Sequence, residues 1–401
     1  MKIKVFHIYI TILILYYFAE YISFDPDRAW GGTEISSRMM LQQSLSVILI
    51  LIPLPIIFRK SKKIIKSRFY RTFYFFGLIA ILSYVYHILI SNTFSLYFFA
   101  QTLKIIYWIL PIFWFHEVFI SMSEQEKVKI LKTFVVIYII QTIAILIKGY
   151  SYINSDDEII YALGSGITFI IPLVFVVYSK RVAFWIYLIC LGIAIVSLKR
   201  TPILLLIISF LFLYRDIFKA LKWYDILSFG IIVLTGLVNF ISRFYALIVE
   251  RNAIDIAKQG YGSGRSIFYL IIIEEWKKEN LISQIFGNGI GSVNALLLEK
   301  YGLAISAHNG YLDALYSYGL IGILVFVSIF YRLFKNKKLV KRFADNQYKV
   351  FIMFTFMWLI QSFITHGYFG TNFIAYSFFI AYIFSTVEKN QIYCNGKISS
   401  I

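Results

Sequence analysis

Two polar residues, His308 and Asn309, stand directly before an apolar stretch of membrane-spanning length. Histidine has an unperturbed pKa of about 6.5, so its imidazole can take a proton from a hydroxyl group at an aqueous surface. Asp313 follows Asn309 by one helical turn, where it would orient either a bound hydroxyl or the imidazole. The alternative for Asn309 is a polar cap at the start of the helix. The segment therefore predicts a general base at a helix entrance.

A second segment, "KQGYGSGRSIFYLIIIEEWKKEN", begins with Gly260, Gly262 and Gly264 and continues with Arg265. A helical pattern follows, and its apolar face indicates packing on the outer leaflet or on the bundle. Backbone N–H groups at a helix start and a guanidinium together suit a phosphate group, with Gly264 in the substrate-binding set. The alternative is an arginine that pairs with lipid headgroups or a nearby acid. The apolar face consists of Phe268, Ile271, Ile272 and Trp276.

Three further residues are candidates from their positions. Arg200 in "SLKRTPILLLII" stands at the start of a predicted span, where basic side chains often only anchor the span end. Lys104 lies near the middle of another predicted span, where charge is costly and usually functional or paired. His366 in "THGYFGTN" is a second external histidine. We assign Arg200 to the same catalytic group as His308 and Arg265. We assign Lys104 and His366 to substrate binding.

Composition sets the class of protein that must position these residues. Of 401 residues, 60% are hydrophobic and 15% are charged, against about 45–50% and about 25% in soluble domains. Apolar runs of about 20 residues recur along the chain, which predicts an all-α, polytopic membrane protein. The net charge of +18 fits basic cytoplasmic loops rather than nucleic-acid binding. Cys190 and Cys394 give no disulfide or metal-ligand spacing, so we predict no metal and no cofactor.

The hydropathy pattern predicts about 12 spans in a single membrane domain, residues 1–401, with one large external loop at 243–310. A glycine cluster in this loop, "FGNGIGS", predicts a sharp turn or a close approach of backbone, not a dinucleotide site. The predicted spans are 5–22, 41–58, 72–90, 95–118, 130–148, 159–178, 182–198, 202–214, 225–242, 311–331, 349–365 and 371–387.

The loops at 59–71 and 332–349 carry the densest positive charge, which predicts that both face the cytoplasm. Eight predicted spans lie between them, an even number, so the two assignments agree. One span separates His308 from Arg332, so His308 faces outward. Arg200 faces outward by the same reasoning from Arg215.

Taken together, "AHNGYLDALYSYGLIG", "GSGRSIFYL", "IFGNGIGS" and "SLKRTPILLL" resemble the O-antigen ligase and surface-polysaccharide polymerase superfamily. The local motifs cover residues 196–326, and the span number and single large loop fit most of the chain. The resemblance implies metal-independent glycosyl transfer on the outer face of the bacterial cytoplasmic membrane. On this sequence, Arg200 and Arg265 would hold the pyrophosphate, and His308 would act on the acceptor hydroxyl.

The donor that the resemblance implies is an oligosaccharide on undecaprenyl pyrophosphate. In the polymerase branch, which we favour, the acceptor is another lipid-linked repeat unit, as in O-antigen or capsule synthesis. In the ligase branch the acceptor is the lipid A core of lipopolysaccharide. Further candidate partners are membrane lipids, a chain-length regulator and a flippase.

Two alternatives belong to other classes. "FDPDRAW" places Asp25 and Asp27 in the first external loop, as in metal-dependent glycosyltransferases that use polyprenyl-phosphate sugars, although the same residues form ordinary turns. A lipid-linked oligosaccharide flippase would also suit twelve spans. Transporters, however, concentrate polar residues near the membrane midplane, whereas most polar candidates here are external.

Overall fold

The computed structural model describes residues 2–23, 37–55, 57–59, 67–91, 96–151, 165–197, 200–228, 230–231, 265–302, 306–365 and 371–398. Regular secondary structure within these ranges is helical, as predicted. The first half contains α1 (Lys2–Ser23), α2 (Ser37–Leu51), α3 (Arg68–Ser91), α4 (Leu96–Ser121), α5 (Glu124–Ser151), α6 (Ile171–Val177, after the 3-10 turn Ser165–Ile170) and α7 (Lys180–Val196). The second half contains α8 (Arg200–Phe218), α9 (Arg265–Lys278), α10 (Leu281–Phe286), α11 (Ser292–Tyr301), α12 (Gly310–Phe343), α13 (Asp345–Ile364) and α14 (Ile374–Ile398, after the 3-10 turn Thr371–Phe373).

Seven helices in the described ranges are long and apolar enough to cross a membrane, which characterises a multi-pass membrane protein. They include Val5–Ile22, Phe69–Leu89, Phe99–Ser121, Glu124–Lys148, Thr201–Phe218, Gly310–Phe343 and Asp345–Ile364. Every span predicted from the sequence overlaps helical residues, and the ninth, 225–242, does so at 225–228 and 230–231, the only part of it that the structure describes.

The tenth predicted span, 311–331, starts where its helix does but ends earlier than the helix. α12 continues to Phe343, so most of the basic segment predicted as a loop is helical. Lysine and arginine are good helix formers, and this segment has no glycine or proline to end the helix before Ala344.

Aromatic side chains fill the core of the bundle. Residues 373–381 of α14 and its preceding turn are fully buried, so this part of the helix is enclosed by protein around its whole circumference. Phe115 and Phe378 stack with ring centroids 4.1 Å apart, and Trp108 packs edge-on against Trp358 at 5.8 Å. α14 therefore forms the centre around which the other helices pack.

Ion pairs join helices at the end of the bundle that carries Arg71, Arg332 and Lys349, called the basic end below. Lys349 Nζ lies 2.9 Å from Asp216 Oδ2, and Arg181 Nε lies 2.7 Å from Asp225 Oδ2. Lys180 Nζ on α7 lies 3.8 Å from the same Asp216 oxygen, so Asp216 joins the ends of α7, α8 and α13. The opposite end, where α12 begins, is called the His308 end.

Candidate functional site at the His308 end of the bundle

Asn309 begins α12 as its N-cap. Its side-chain Oδ1 accepts hydrogen bonds from the backbone N–H groups of Tyr311 (3.0 Å) and Leu312 (3.2 Å). A cap of this kind satisfies donors that the first helical turn leaves without partners. Asn309 therefore shapes the site by starting the helix, and its contact with a substrate stays a prediction.

His308 occupies a tight turn just before the cap. It is the one residue other than glycine with a left-handed backbone in the described ranges, with φ of 51°. The Ala307 N–H donates to Asp313 Oδ1 at 3.1 Å, and the His308 N–H points to Ser306 Oγ at 3.4 Å. Asp313 is 1% exposed. Asp313 thus holds the backbone of the turn next to His308, and its effect on the imidazole stays a prediction.

Arg265 and the His308 turn meet at one helix end. Arg265 Nη1 donates to the carbonyl oxygen of Ile364 at 3.2 Å, and the Gly310 N–H donates to that of Thr365 at 3.0 Å. Both acceptors are at the C-terminus of α13, where carbonyl groups lack helical partners and the dipole favours a cation. The end of α13 therefore brings the first residues of α9 and α12 together.

Tyr269 is a member of this cluster that the sequence did not reveal. Its hydroxyl is hydrogen-bonded to the Asn309 side chain and lies near Arg265 and Asp313. Burial raises the pKa of Tyr269, although Arg265 and the Asn309 bond act in the opposite direction. The hydroxyl therefore stays protonated near neutral pH. The available signal was its spacing, one helical turn after Arg265 on the same face.

Arg200 reaches the same end of the bundle by helix register. α8 and α13 run antiparallel, with Lys349 beside Asp216 and the Phe212 ring 5.4 Å from that of Phe356. Following both helices from the Asp216 contact for about 24 Å, at about 1.5 Å per residue, places the Arg200 backbone level with Thr365. The three predicted residues Arg200, Arg265 and His308 therefore lie at one end of the bundle.

The glycine cluster approaches backbone closely, as predicted. α12 breaks at Gly319, where φ is 67° and ψ is −164°. The Asn288 and Gly289 N–H groups donate to the carbonyl oxygens of Tyr316 and Ser317 at 3.0 Å each. These bonds satisfy the carbonyl groups that the break frees, so the loop segment 287–289 supports the helix that follows His308.

Gly319→Ala should destabilise the protein by more than about 3 kcal/mol, because φ and ψ there suit only glycine and a Cβ would collide with the Ile285 carbonyl. Thermal unfolding in detergent, followed by size exclusion, measures this loss. Gly192→Ala is the matched control, since a Cβ at Gly192 meets nothing within 4 Å. Equal melting temperatures for the two variants would contradict the fitted break.

Lys104 lies near an acidic residue that could not be predicted from the sequence. Glu20 on α1 interacts electrostatically with Lys104 on α4. Gln141 Nε2 on α5 donates to Glu20 Oε2 at 2.8 Å. The structure thus brings Lys104 together with Glu20 and Gln141, in a polar cluster of its own between α1, α4 and α5.

The remaining predicted residues lie outside the described ranges. These are Gly264 and His366 of the proposed site, and Asp25 and Asp27 of the acidic alternative. Within the described residues, no group of three or more His, Cys, Asp or Glu side chains could hold a metal ion.

The chain matches no known protein-family model, and it has no significant match among curated proteins.

Proposed function

We propose that this protein is a surface-polysaccharide polymerase. It would join oligosaccharide repeat units carried on undecaprenyl pyrophosphate at the outer face of the bacterial cytoplasmic membrane. The supporting observation is the pair of hydrogen bonds at the end of α13, from Arg265 to Ile364 and from Gly310 to Thr365. They place a guanidinium beside the turn that holds an imidazole.

Glycosyl transfer from a lipid diphosphate needs two kinds of help. As the bond between the anomeric carbon and the diphosphate oxygen breaks, negative charge grows on the leaving group, and arginines stabilise it without a metal. As the acceptor oxygen forms the new glycosidic bond, its proton must leave, and a positioned base takes it. Arg265 and Arg200 suit the first task, and His308 suits the second.

The position of the cluster suits such a substrate. The lipid tail of the donor requires contact with the hydrocarbon core, whereas its diphosphate and sugars require water. A site where helices of spanning length begin, next to the short helices α9 to α11, offers both environments. The alternative within the same chemistry is a ligase, which would use the same donor groups with the lipid A core as acceptor.

A deletion strain distinguishes these functions through its surface polysaccharide, separated by size on gels. A polymerase deletion should leave single repeat units attached to the core, while a ligase deletion should accumulate long chains still on the lipid carrier. The wild-type gene should restore the ladder when it is returned to the deletion strain. The Lys278→Ala gene should restore it too, because Lys278 on α9 is not one of the proposed site residues. An unchanged ladder, or repeat units trapped on the cytoplasmic side, would overturn the proposal.

A further inference from the structure

The most exposed side chains of the short helix α10 are apolar. Leu281, Ile282 and Phe286 are 70%, 61% and 56% exposed, whereas Ser283 is buried. Gln284 turns its amide back to the protein and donates to the Lys277 and Glu279 carbonyl oxygens at 3.2 and 3.0 Å. A contiguous apolar surface like this is unusual in water and indicates contact with another apolar phase.

α10 lies on α12 where α12 breaks. The Ile285 carbonyl is packed against Gly319, and Gly287 is packed against the Ser317 carbonyl. Backbone N–H groups just after α10 bond to α12, as described above for Asn288 and Gly289. The level of α10 along the bundle is therefore that of Gly319.

Two helices give the depth of this level independently. From Arg332 at the basic end, α12 rises about 20 Å to Gly319, at about 1.5 Å per residue. From Arg71 at the same end, α3 rises about 18 Å to Ser83, whose Oγ lies 3.4 Å from the Ser317 carbonyl oxygen. The hydrocarbon core is about 30 Å thick. With Arg332 and Arg71 at the opposite boundary of this core, both estimates place α10 about 10 Å inside the boundary at the His308 end.

The spanning part of α12 next to α10 also exposes apolar side chains. Beyond the break, Leu324 and Val327 are 67% and 45% exposed on a helix long enough to span the membrane. Leu320 and Ile321, also exposed, directly follow Gly319, at the level of α10. Exposed apolar side chains thus occur both on the spanning part of α12 and on α10, which packs on α12 at the break.

We propose that α10 is inserted into the membrane leaflet at the His308 end, with Leu281, Ile282 and Phe286 in contact with lipid acyl chains. Non-helical backbone at this depth needs internal hydrogen bonds, and the bonds from residues 288 and 289 to α12 supply them. The loop between Arg265 and His308 is therefore partly embedded. This inference stands independently of the proposed function.

Fluorescence quenching in lipid vesicles tests the insertion on the full-length protein. The background is Cys394→Ser, since Cys190 is buried and inert to labelling. An environment-sensitive fluorophore is attached at Ile282→Cys and, as the matched control, at Lys277→Cys, which is exposed on the end of α9. Vesicles of phosphatidylcholine and phosphatidylglycerol carry a nitroxide on the acyl chain, and iodide serves as the aqueous quencher.

The label at position 282 should be quenched by the acyl-chain nitroxide and lose most iodide quenching relative to position 277. Iodide quenching equal to that at position 277 would overturn the proposal. Quenching by neither agent would also overturn it, because a protein partner would then cover α10. Phe286→Cys provides a second site if the Ile282 variant does not fold, as judged by size exclusion.

Discussion

Replacing His308 by alanine should reduce the rate of polymer formation by about 10²–10⁴-fold, the usual contribution of a positioned general base. The acceptor hydroxyl would have to lose its proton to water while the glycosidic bond forms. The protein should still fold and insert, because Ala307, Asp313 and Asn309 make hydrogen bonds that hold the turn and start the helix. The rate is measured with purified protein in vesicles and lipid-linked repeat units.

The left-handed backbone of His308 calls for two matched controls. Glycine adopts a φ of 51° without strain, and asparagine tolerates it better than most residues. His308→Gly and His308→Asn therefore preserve the turn while removing the base, and both should be as inactive as the alanine variant. Normal chain lengths from either variant would show that the turn, not the imidazole, is what the reaction needs.

Replacing Arg265 by alanine should reduce kcat by about 10²–10³-fold, as removal of one preorganised charge donor does in other enzymes. The diphosphate leaving group would lose a guanidinium at the stage when its charge grows. Arg265→Lys keeps the charge but not the planar pair of donors, so it should recover only part of the rate. The readout is kcat and KM for the lipid-linked donor in the vesicle assay.

The same arginine also anchors the end of α13, so stability must be measured separately. Lys278→Ala removes a positive charge from the same helix, at an exposed pair with Glu275, and should leave the rate unchanged. If Arg265→Lys has the wild-type rate and only a lower melting temperature, Arg265 is an anchor and the phosphate role is wrong.

The sequence by itself determined the features that depend on local pattern. Runs of apolar residues predicted the helices, because a backbone in lipid must satisfy its hydrogen bonds within one segment. Polar residues at 308 and 309 before an apolar run predicted a helix entrance, and α12 begins there with Asn309 as its cap, the alternative weighed for that residue. The glycines at 287 and 289 predicted a close approach of backbone, which the bonds to α12 confirm.

Only the tertiary structure decided which distant residues meet. Arg265 and Ile364 are joined across separate helices, as are Glu20 and Lys104. The break at Gly319 was hidden, because its sequence is equally compatible with a continuous apolar helix. It exists because another segment supplies the hydrogen bonds that the break removes. Such pairings depend on helix register and packing, which the periodicity of a single segment does not encode.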